Sequence, residues 1–450
     1  MRKLVLVGLA QVLLILAGCG GSSGSVATSQ SSGGGGGGGG GGQASNAVTI
    51  NVDSGPVPAT AYDVDTPFIT LTVCAPGSTT NCQQIDHVEV DTGSYGLRII
   101  SSVLATSLAS ALPQETGAGS VPIVECTQFA DGFSWGPVKL ADVQIAGESA
   151  SNVPIQVMGD PAFEGEIPTA CSSTGTEEDT VAKFGANAIL GVGPFADDCG
   201  SGCATVANNG WYYLCPANGT SPSSCVGAMV SEQAQVTDPV AFFQTDNNGV
   251  IVELPSVSNG AMTATGTLVF GIGTQSNNSM GAQTVLTASS SYGDVTTTYT
   301  TQGGTPQFLP FSYFDTGSNA YYFSDDNIPS SQGCSGYPGY NSSNPDSWYC
   351  PPSELSLSAT NTGQNGTQST VGFFVDNAYT LFQSSTGTVF DNLGASSGAQ
   401  STNCTSMSVA AQNHFECAFD FGFPFFLGRS VYIAFAGSNT AWGTGPYFAY

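Results

Sequence analysis

Two stretches of the chain carry the tetrapeptide Asp-Thr-Gly-Ser: Val88-Glu-Val-Asp-Thr-Gly-Ser-Tyr-Gly-Leu-Arg-Ile-Ile100 and Phe311-Ser-Tyr-Phe-Asp-Thr-Gly-Ser318. An apolar strand pattern precedes each motif, and another follows it at Leu97–Ile100 and at Tyr321–Phe323. A single copy is a common strand–turn–strand element. Two copies in matched contexts indicate an internal repeat.

A second landmark accompanies each copy. Ala188-Ile-Leu-Gly191 ends 100 residues after Asp91, and Phe425-Phe-Leu-Gly428 ends 113 residues after Asp315. An apolar-apolar-Gly segment at similar spacing in both halves indicates a duplicated lobe. We therefore predict an N-terminal lobe over residues 48–258 and a C-terminal lobe over residues 259–450.

Short β-branched or alternating runs bounded by Gly, Pro, Asn and Ser predict mostly β structure. These runs are Val48–Val52, Phe68–Val73, Val138–Ile145, Val250–Leu254 and Thr267–Phe270. Helical periodicity is scarce, and residues 97–112 are the best candidate for one or two short helices.

The paired motifs resemble those of the pepsin-like aspartic endopeptidases, over roughly residues 50–450. Ala141–Ile145 is similar to the strand that leaves the flap hairpin of that family, and Gly266–Gly271 to the strand that opens its second lobe. The chain also resembles a group of uncharacterised bacterial lipoproteins. The resemblance implies an all-β, bilobal fold with the active-site cleft between two duplicated lobes.

The resemblance also implies a site with Asp91 and Asp315 as the catalytic pair. Two carboxyls held close together cannot both ionise, so they share a proton, and the ionised member can activate a water molecule. Such chemistry needs no metal and no cofactor. The family's supporting dyad loops correspond to Thr92 and Thr316, which link the loops, Ser94 and Ser318, which donate to the aspartates, and Gly93 and Gly317, which permit tight turns.

The flap of the family is the weakest part of the match. Its tyrosine position corresponds to Phe129, in a turn that includes Gly132, and phenylalanine lacks the hydroxyl. Two interpretations stay open: a rearranged flap in which Trp135 or Tyr95 substitutes, or a site that binds peptides without efficient turnover.

Arg98 occupies the position of the tryptophan that is the usual partner of the flap tyrosine. It could pair with a nearby acid, for example Glu89 or Asp131. The alternative is a solvated arginine without a role, because surface charges usually contribute little.

The chain is strongly acidic, with 33 acidic and 6 basic residues among 450 and a net charge of −27. This balance excludes nucleic acid as a partner, because tracking a phosphate backbone needs clustered Lys and Arg. The runs Glu177–Asp179, Asp197–Asp198 and Asp325–Asp326 lack the spacing of a calcium loop, and we expect solvated loop acids there.

Residues 1–19 have the pattern of a lipoprotein signal peptide, with Arg2 and Lys3 before a short apolar run. Leu16-Ala-Gly-Cys19 resembles a lipobox, which implies lipidation at Cys19, and Gly20 implies an outer-membrane destination in the bacterial envelope. Residues 20–47, with ten consecutive glycines, predict a flexible tether. We expect a monomer whose partners are a peptide or protein substrate and the membrane that holds the lipid anchor.

Twelve cysteines remain when Cys19 is set aside, an even number that predicts disulfides in an exported protein. Spacing favours Cys74 with Cys82, Cys126 with Cys171, Cys334 with Cys350, Cys404 with Cys417, and two pairs among Cys199, Cys203, Cys215 and Cys225.

Together these patterns predict an exported, lipid-anchored aspartic endopeptidase. The alternative is a surface binding lipoprotein that keeps the pepsin-like fold but is catalytically weak or inactive. The two Asp-Thr-Gly-Ser motifs favour the enzyme, whereas Phe129 and Arg98 favour the alternative.

Overall fold

The computed structural model of the chain describes residues 45–56, 64–130, 132–330, 348–384, 386–398, 404 and 417–450. Within them the protein is mostly β-sheet, as the sequence predicts. The strands of the first half are β1 (Ala47–Val52), β2 (Pro67–Cys74), β3 (Cys82–Asp91), β4 (Tyr95–Ile100), β5 (Ile123–Gln128), β6 (Gly132–Ile145), β7 (Glu148–Met158), β8 (Thr176–Glu177), β9 (Ala188–Val192), β10 (Tyr212–Leu214), β11 (Val226–Gly227) and β12 (Gly249–Glu253).

The second half continues the same pattern. Its strands are β13 (Ala264–Phe270), β14 (Val285–Thr287), β15 (Val295–Thr300), β16 (Pro306–Phe314), β17 (Tyr321–Tyr322), β18 (Leu355–Thr362), β19 (Gln368–Val375), β20 (Gly394–Ala395), β21 (Asp420–Phe421), β22 (Ser430–Ala434), β23 (Asn439–Thr440), β24 (Gly443–Thr444) and β25 (Tyr447–Ala449).

The helices are short. The α-helices are α1 (Thr106–Ala109), α2 (Thr169–Ser172), α3 (Val181–Phe184), α4 (Ser201–Thr205) and α5 (Ala378–Ser384). The 3₁₀ turns are Ser101–Val103, Ala118–Ser120, Glu164–Glu166, Pro222–Ser224, Glu232–Ala234, Pro239–Phe242 and Phe423–Phe426. Among the described residues, no helix is long and apolar enough to cross a membrane.

The helical prediction for residues 97–112 is only partly right. Residues 97–100 belong to β4, which lies between β7 and β9 in the sheet. A strand that is covered on both faces is a continuous apolar run, which periodicity alone does not separate from a short helix. Helical turns follow only at Ser101–Val103 and at α1.

The described strands form a 16-stranded, a 7-stranded and a 2-stranded sheet. The largest sheet runs β11-β10-β5-β6-β7-β4-β9-β3-β2-β1-β13-β12-β22-β25-β14, with β8 added beside β6. The second runs β19-β18-β15-β16-β21-β17-β20. Strand β1 pairs with β13 along its whole length, from Ala47 opposite Val269 to Val52 opposite Ala264, and so joins the two halves of the chain.

Aromatic side chains pack beneath the second motif. The ring of Phe314, the residue before Asp315, lies 5.1 Å from that of Phe421, 4.9 Å from that of Phe425 and 5.3 Å from that of Tyr450. The segment Phe423–Phe426 is completely buried. It therefore serves as core packing, and the strand that leads to Asp315 packs on an aromatic base.

The disulfides follow the predicted local pairing. The bonded pairs are Cys74–Cys82, Cys126–Cys171, Cys199–Cys203, Cys215–Cys225 and Cys404–Cys417. Cys350 is also disulfide-bonded, while Cys334 lies outside the described residues, as do Cys19, the predicted signal peptide and most of the predicted tether.

The expectation that the acidic runs are solvated is wrong for three of their members. Glu178 and Asp325 are buried, and the side chain of Asp198 is only 2% exposed. Asp325, for example, accepts hydrogen bonds from the Tyr299 hydroxyl at 2.7 Å and from the Gln302 N–H at 2.8 Å. Donors from distant parts of the chain therefore compensate for the loss of solvent, which the local sequence does not reveal.

We predict that the Cys126–Cys171 disulfide contributes much more to stability than Cys199–Cys203, because the two pairs span 45 and 4 residues. Replacing the first pair with serines should lower the free energy of unfolding by about 2–4 kcal/mol, since a longer closed loop restricts the unfolded chain more. The Cys199→Ser/Cys203→Ser variant is the control in denaturant unfolding. An equal or larger loss in that control would contradict the prediction.

Candidate functional site

The two Asp-Thr-Gly-Ser motifs lie side by side at the ends of two buried strands. Asp91 is the last residue of β3, and Asp315 follows β16 directly. Both motifs belong to a three-strand arrangement of the same kind. In the first, β9 lies parallel to β3 and antiparallel to β4. In the second, β21 lies parallel to β16 and antiparallel to β17.

Thr92 and Thr316 connect the two loops by reciprocal hydrogen bonds. The Thr92 N–H donates to Thr316 Oγ1 at 3.1 Å, and the Thr316 N–H donates to Thr92 Oγ1 at 3.0 Å. Each hydroxyl then donates across to the other strand, Thr92 to the Phe314 carbonyl at 2.8 Å and Thr316 to the Val90 carbonyl at 2.6 Å. These are the links that the family resemblance implies for the two threonines.

The glycines allow each loop to approach the carboxyl of the other. A Cβ on Gly93 would lie 2.5 Å from Asp315 Cγ. A Cβ on Gly317 would lie 2.7 Å from Asp91 Oδ1 and 3.2 Å from Asp315 Oδ1, so the two carboxyl oxygens flank one point. Larger residues at these positions would displace the carboxyls from each other.

The two carboxyls interact directly. Asp91 and Asp315 hydrogen-bond to each other, and each accepts an N–H from its own loop, from Gly93 at 2.7 Å and from Gly317 at 2.8 Å. Burial raises the pKa of Asp315 well above its usual range, and the negative charges of Asp91 and Asp420 raise it further. The pair can therefore hold a proton between two oxygens at a pH where an isolated aspartate is ionised.

The two serines differ, which the sequence does not predict. The Ser318 hydroxyl donates to Asp315 Oδ2 at 2.9 Å. Ser94 does not donate to Asp91, because its buried Oγ makes no hydrogen bond within the described part of the chain. The prediction for Ser94 is therefore wrong in this structure, although the two motifs are identical in sequence.

The second landmark is also placed differently from the prediction. In the first half Gly191 stands opposite Asp91, as expected. In the second half the Asp315 N–H donates to the Phe421 carbonyl at 3.0 Å, so the strand beneath the motif is β21, followed by Gly422. Phe425-Phe-Leu-Gly428 instead forms the end of a 3₁₀ turn and its exit.

Steric contacts support this correction. A Cβ on Gly191 would lie 2.4 Å from the Tyr95 nitrogen, and a Cβ on Gly422 would lie 1.9 Å from the Ala320 carbonyl oxygen. Both glycines thus give room to the chain that leaves their motif. The apolar-apolar-Gly pattern does not identify Gly422, because the residue two places before it is Asp420.

The predicted flap residues lie at the tip of the β5–β6 hairpin. The Phe129 N–H donates to the Gly132 carbonyl at 2.8 Å, and Gly132 pairs with Thr176 of β8. The Phe129 ring packs against Phe184, 5.9 Å between centroids. The hairpin tip therefore contacts Phe184 and β8, which belong to the same half of the chain as the hairpin.

Of the two proposed substitutes for the flap tyrosine, only Tyr95 lies near the carboxyl pair. The charges of Asp91 and Asp315 help to raise the Tyr95 pKa, after the larger effect of burial. Trp135 is buried, and its indole N–H donates to the Phe163 carbonyl at 3.0 Å. Trp135 is thus a core residue of the hairpin.

Arg98 is buried, with 1% of its side chain exposed, so the solvated alternative is wrong. It forms ion pairs with Glu125 of β5 at 2.6 Å and with Asp198 at 3.1 Å, not with the predicted Glu89. Asp131, the other predicted partner, lies outside the described residues. Arg98 also donates to the Tyr95 carbonyl at 2.7 Å and so ties the hairpin to the first motif.

One group of possible metal ligands occurs among the described residues, formed by Glu166, Cys215 and Cys225. The two cysteines are bonded to each other, and a disulfide sulfur lacks the thiolate charge that metals require. This group is therefore part of the disulfide framework.

We predict that Arg98→Met lowers the free energy of unfolding by about 3–5 kcal/mol, because it leaves Glu125 and Asp198 buried without their cation. The control is Lys183→Met, whose partner Asp179 lies 2.7 Å away but whose own side chain is 48% exposed. That variant should lose less than about 1 kcal/mol. Equal losses in urea unfolding would contradict a buried anchoring role for Arg98.

Comparison with solved structures gives 266 matching chains. One is the crystal structure of aspartic proteinase from Irpex lacteus, with 14% sequence identity and a TM-score of 0.48 over 90% of this chain and 96% of that chain. A likeness of this degree decides neither the fold nor the activity. No curated protein sequence matches the chain.

A family model, in contrast, covers nearly all of the sequence. The model described as "Protein of unknown function (DUF3443)" matches residues 42–450, which include both Asp-Thr-Gly-Ser motifs and every strand described above. The chain therefore belongs to the DUF3443 family.

Proposed function

We propose that this protein is a bilobal, pepsin-like aspartic endopeptidase in which Asp91 and Asp315 hydrolyse peptide bonds. The observation that carries the proposal is the direct hydrogen bond between these two carboxyls, on loops that Thr92 and Thr316 link to each other. The repeated strand arrangement around the two motifs supports lobes at residues 48–258 and 259–450.

The chemistry follows from the shared proton. One carboxyl is ionised and accepts a proton from a water molecule held between the pair, which then attacks the carbonyl carbon of the peptide. The raised pKa of Asp315 suits it to remain protonated and to donate to the carbonyl oxygen. The substrate would be an extended peptide lying across the two motifs, and the reaction needs neither metal nor cofactor.

The pH dependence follows from the same pair. Activity requires one proton on the pair, so it falls at high pH as Asp315 loses its proton, and at low pH when both carboxyls are protonated. Because the pKa of Asp315 is raised, the upper limit lies above the usual range of an aspartate.

We predict that Asp91→Asn and Asp315→Asn each abolish cleavage of denatured protein, with at least a thousandfold loss of rate, in line with effects of removing a catalytic group. The full chain, with disulfides intact, is assayed at pH 3–6 with and without a statine-type inhibitor. Asp86→Asn is the control, since the Asp86 side chain is 69% exposed. Inhibitor-sensitive cleavage that persists in Asp91→Asn would refute the proposal.

The alternative is a binding lipoprotein that holds peptides without efficient turnover. The observation that favours it is the fastened hairpin tip, with Phe129 on Phe184 and Gly132 against β8. If the wild type cleaves nothing in that assay but binds a statine-type peptide in calorimetry, and Asp91→Asn does not bind it, the binding function is the correct one.

We also propose that the chain is exported and held in the outer membrane of a bacterial envelope by acyl chains on Cys19. Several acyl chains together give the stable anchoring that a single chain does not.

We predict that cells supplied with a labelled fatty acid incorporate it into the wild-type chain and into the control Ser22→Ala, but not into Cys19→Ser. Label is the readout, because an uncleaved apolar leader could keep Cys19→Ser in the membrane fraction. Label on Cys19→Ser would contradict lipidation at this residue.

A further inference from the structure

A third carboxyl lies beside the two of the proposed site. Asp420 is in β21. It lies opposite Tyr313, which is two residues before Asp315 in the chain. Its residue surface is only 6% exposed. Its charge acts on Asp315, and Asp91 acts on it in turn. The structure thus brings three acidic side chains together, whereas the two copies of the sequence motif supply only two.

Ser318 connects this third carboxyl to the pair. Its hydroxyl donates to Asp315 Oδ2 at 2.9 Å, and it is also hydrogen-bonded to Asp420. A serine hydroxyl has one proton and therefore donates to one acceptor at a time. With that proton directed at Asp315, the bond to Asp420 is complete only if Asp420 itself carries a proton and donates to Ser318 Oγ.

The surroundings of Asp420 favour the neutral form. Its Oδ1 is buried and makes no hydrogen bond within the described residues. An ionised carboxylate with an unsatisfied oxygen away from water is costly, and such groups keep a proton instead. The titratable groups that face it are Asp91, Asp315 and Tyr313, with Asp294 acting on the same tyrosine. None of these groups carries a positive charge that would favour the carboxylate form of Asp420.

The first half of the chain supplies an internal comparison. The position two residues before Gly191 is Ile189, which corresponds to Asp420 two residues before Gly422. There the hydroxyl of the motif serine, Ser94, makes no hydrogen bond to any described residue. The serine donates to its aspartate in the half that has an acid at this position and does not in the half that has an isoleucine.

We propose that Asp420 is a protonated positioning residue that directs the Ser318 hydroxyl at Asp315 and holds a reserve proton for the pair. This inference rests on the proposed function. When Asp315 loses its proton, the Ser318 proton moves to Asp315 Oδ2 while the Asp420 proton moves to Ser318 Oγ, so that Asp315 is neutral again and Asp420 is ionised. The pair therefore stays protonated to higher pH than two carboxyls alone would.

Burial raises the pKa of Asp420 well above its usual range, and the negative charge of Asp91 raises it further. The folded chain then binds a proton that the unfolded chain releases. The contribution of Asp420 to the free energy of unfolding is complete below the usual pKa of an aspartate. It is lost as pH rises through the raised pKa of Asp420 in the folded chain. Asp420→Asn should remove the part of the decrease in stability with rising pH that comes from Asp420.

The test compares Asp420→Asn, Asp420→Ile and the exposed control Asp86→Asn in the full chain. The asparagine amide can still donate to Ser318 Oγ but holds no proton to transfer. We expect Asp420→Asn to keep the rate at the acid optimum within a few fold and to move the upper limb of the pH–rate profile to lower pH. Asp420→Ile, which copies Ile189, should also lower the rate at the optimum.

A second readout does not depend on activity. The infrared carbonyl band of protonated carboxylic acids, recorded at neutral pH, should lose intensity in Asp420→Asn but not in Asp86→Asn. An unchanged band would overturn the proposal, because Asp420 would then be ionised. A reduced band with an unmoved upper limb in an active enzyme would overturn the coupling to Asp315. If the wild type cleaves nothing, the proposed function fails, and the band alone decides whether Asp420 holds a proton.

Discussion

The reciprocal hydrogen bonds between Thr92 and Thr316 are the interaction on which the site depends. The two threonines are 224 residues apart in the chain, and both are buried. Each N–H and each hydroxyl finds its partner on the opposite loop or strand, so no polar group of the link is left unsatisfied. Without this link, nothing in the two local sequences would hold Asp91 and Asp315 at one point.

The rest of the architecture keeps that link rigid. An aromatic base under Phe314 supports the second motif, and the Arg98 ion pairs tie the β5–β6 hairpin to Tyr95, next to the first motif. The chain has only six basic residues, and one of them, Arg98, forms ion pairs with two buried acidic side chains. The acidic composition and the site are thus related, since carboxyls that lack a cation must share protons or find hydroxyl donors.

The sequence predicts those features that depend on local patterns. The repeated tetrapeptide identifies Asp91 and Asp315, alternating runs identify the strands, and short spacings identify the disulfides. Gly422 does not follow from the sequence, because Asp420 interrupts the apolar pattern that marks its counterpart Gly191. An acid inside a buried strand is recognisable only once the serine and carboxyls around it are known.

The burial of Arg98 does not follow from the local sequence, for a related reason. Whether a charged side chain is solvated or buried depends on Glu125 and Asp198, which reach it from 27 and 100 residues away in the chain. The inequality of Ser94 and Ser318 likewise arises from their neighbours, since their motifs are the same. Local sequence thus identifies the two aspartates of the candidate site, whereas the environment that sets their protonation comes from the tertiary fold.

A crystal structure of the full chain with a statine-type peptide tests the central claim most directly. The account predicts that the statine hydroxyl, which occupies the place of the attacking water, lies within hydrogen-bond distance of both Asp91 and Asp315. Carboxyls farther apart than one shared water can bridge, or a peptide bound away from them, would contradict it.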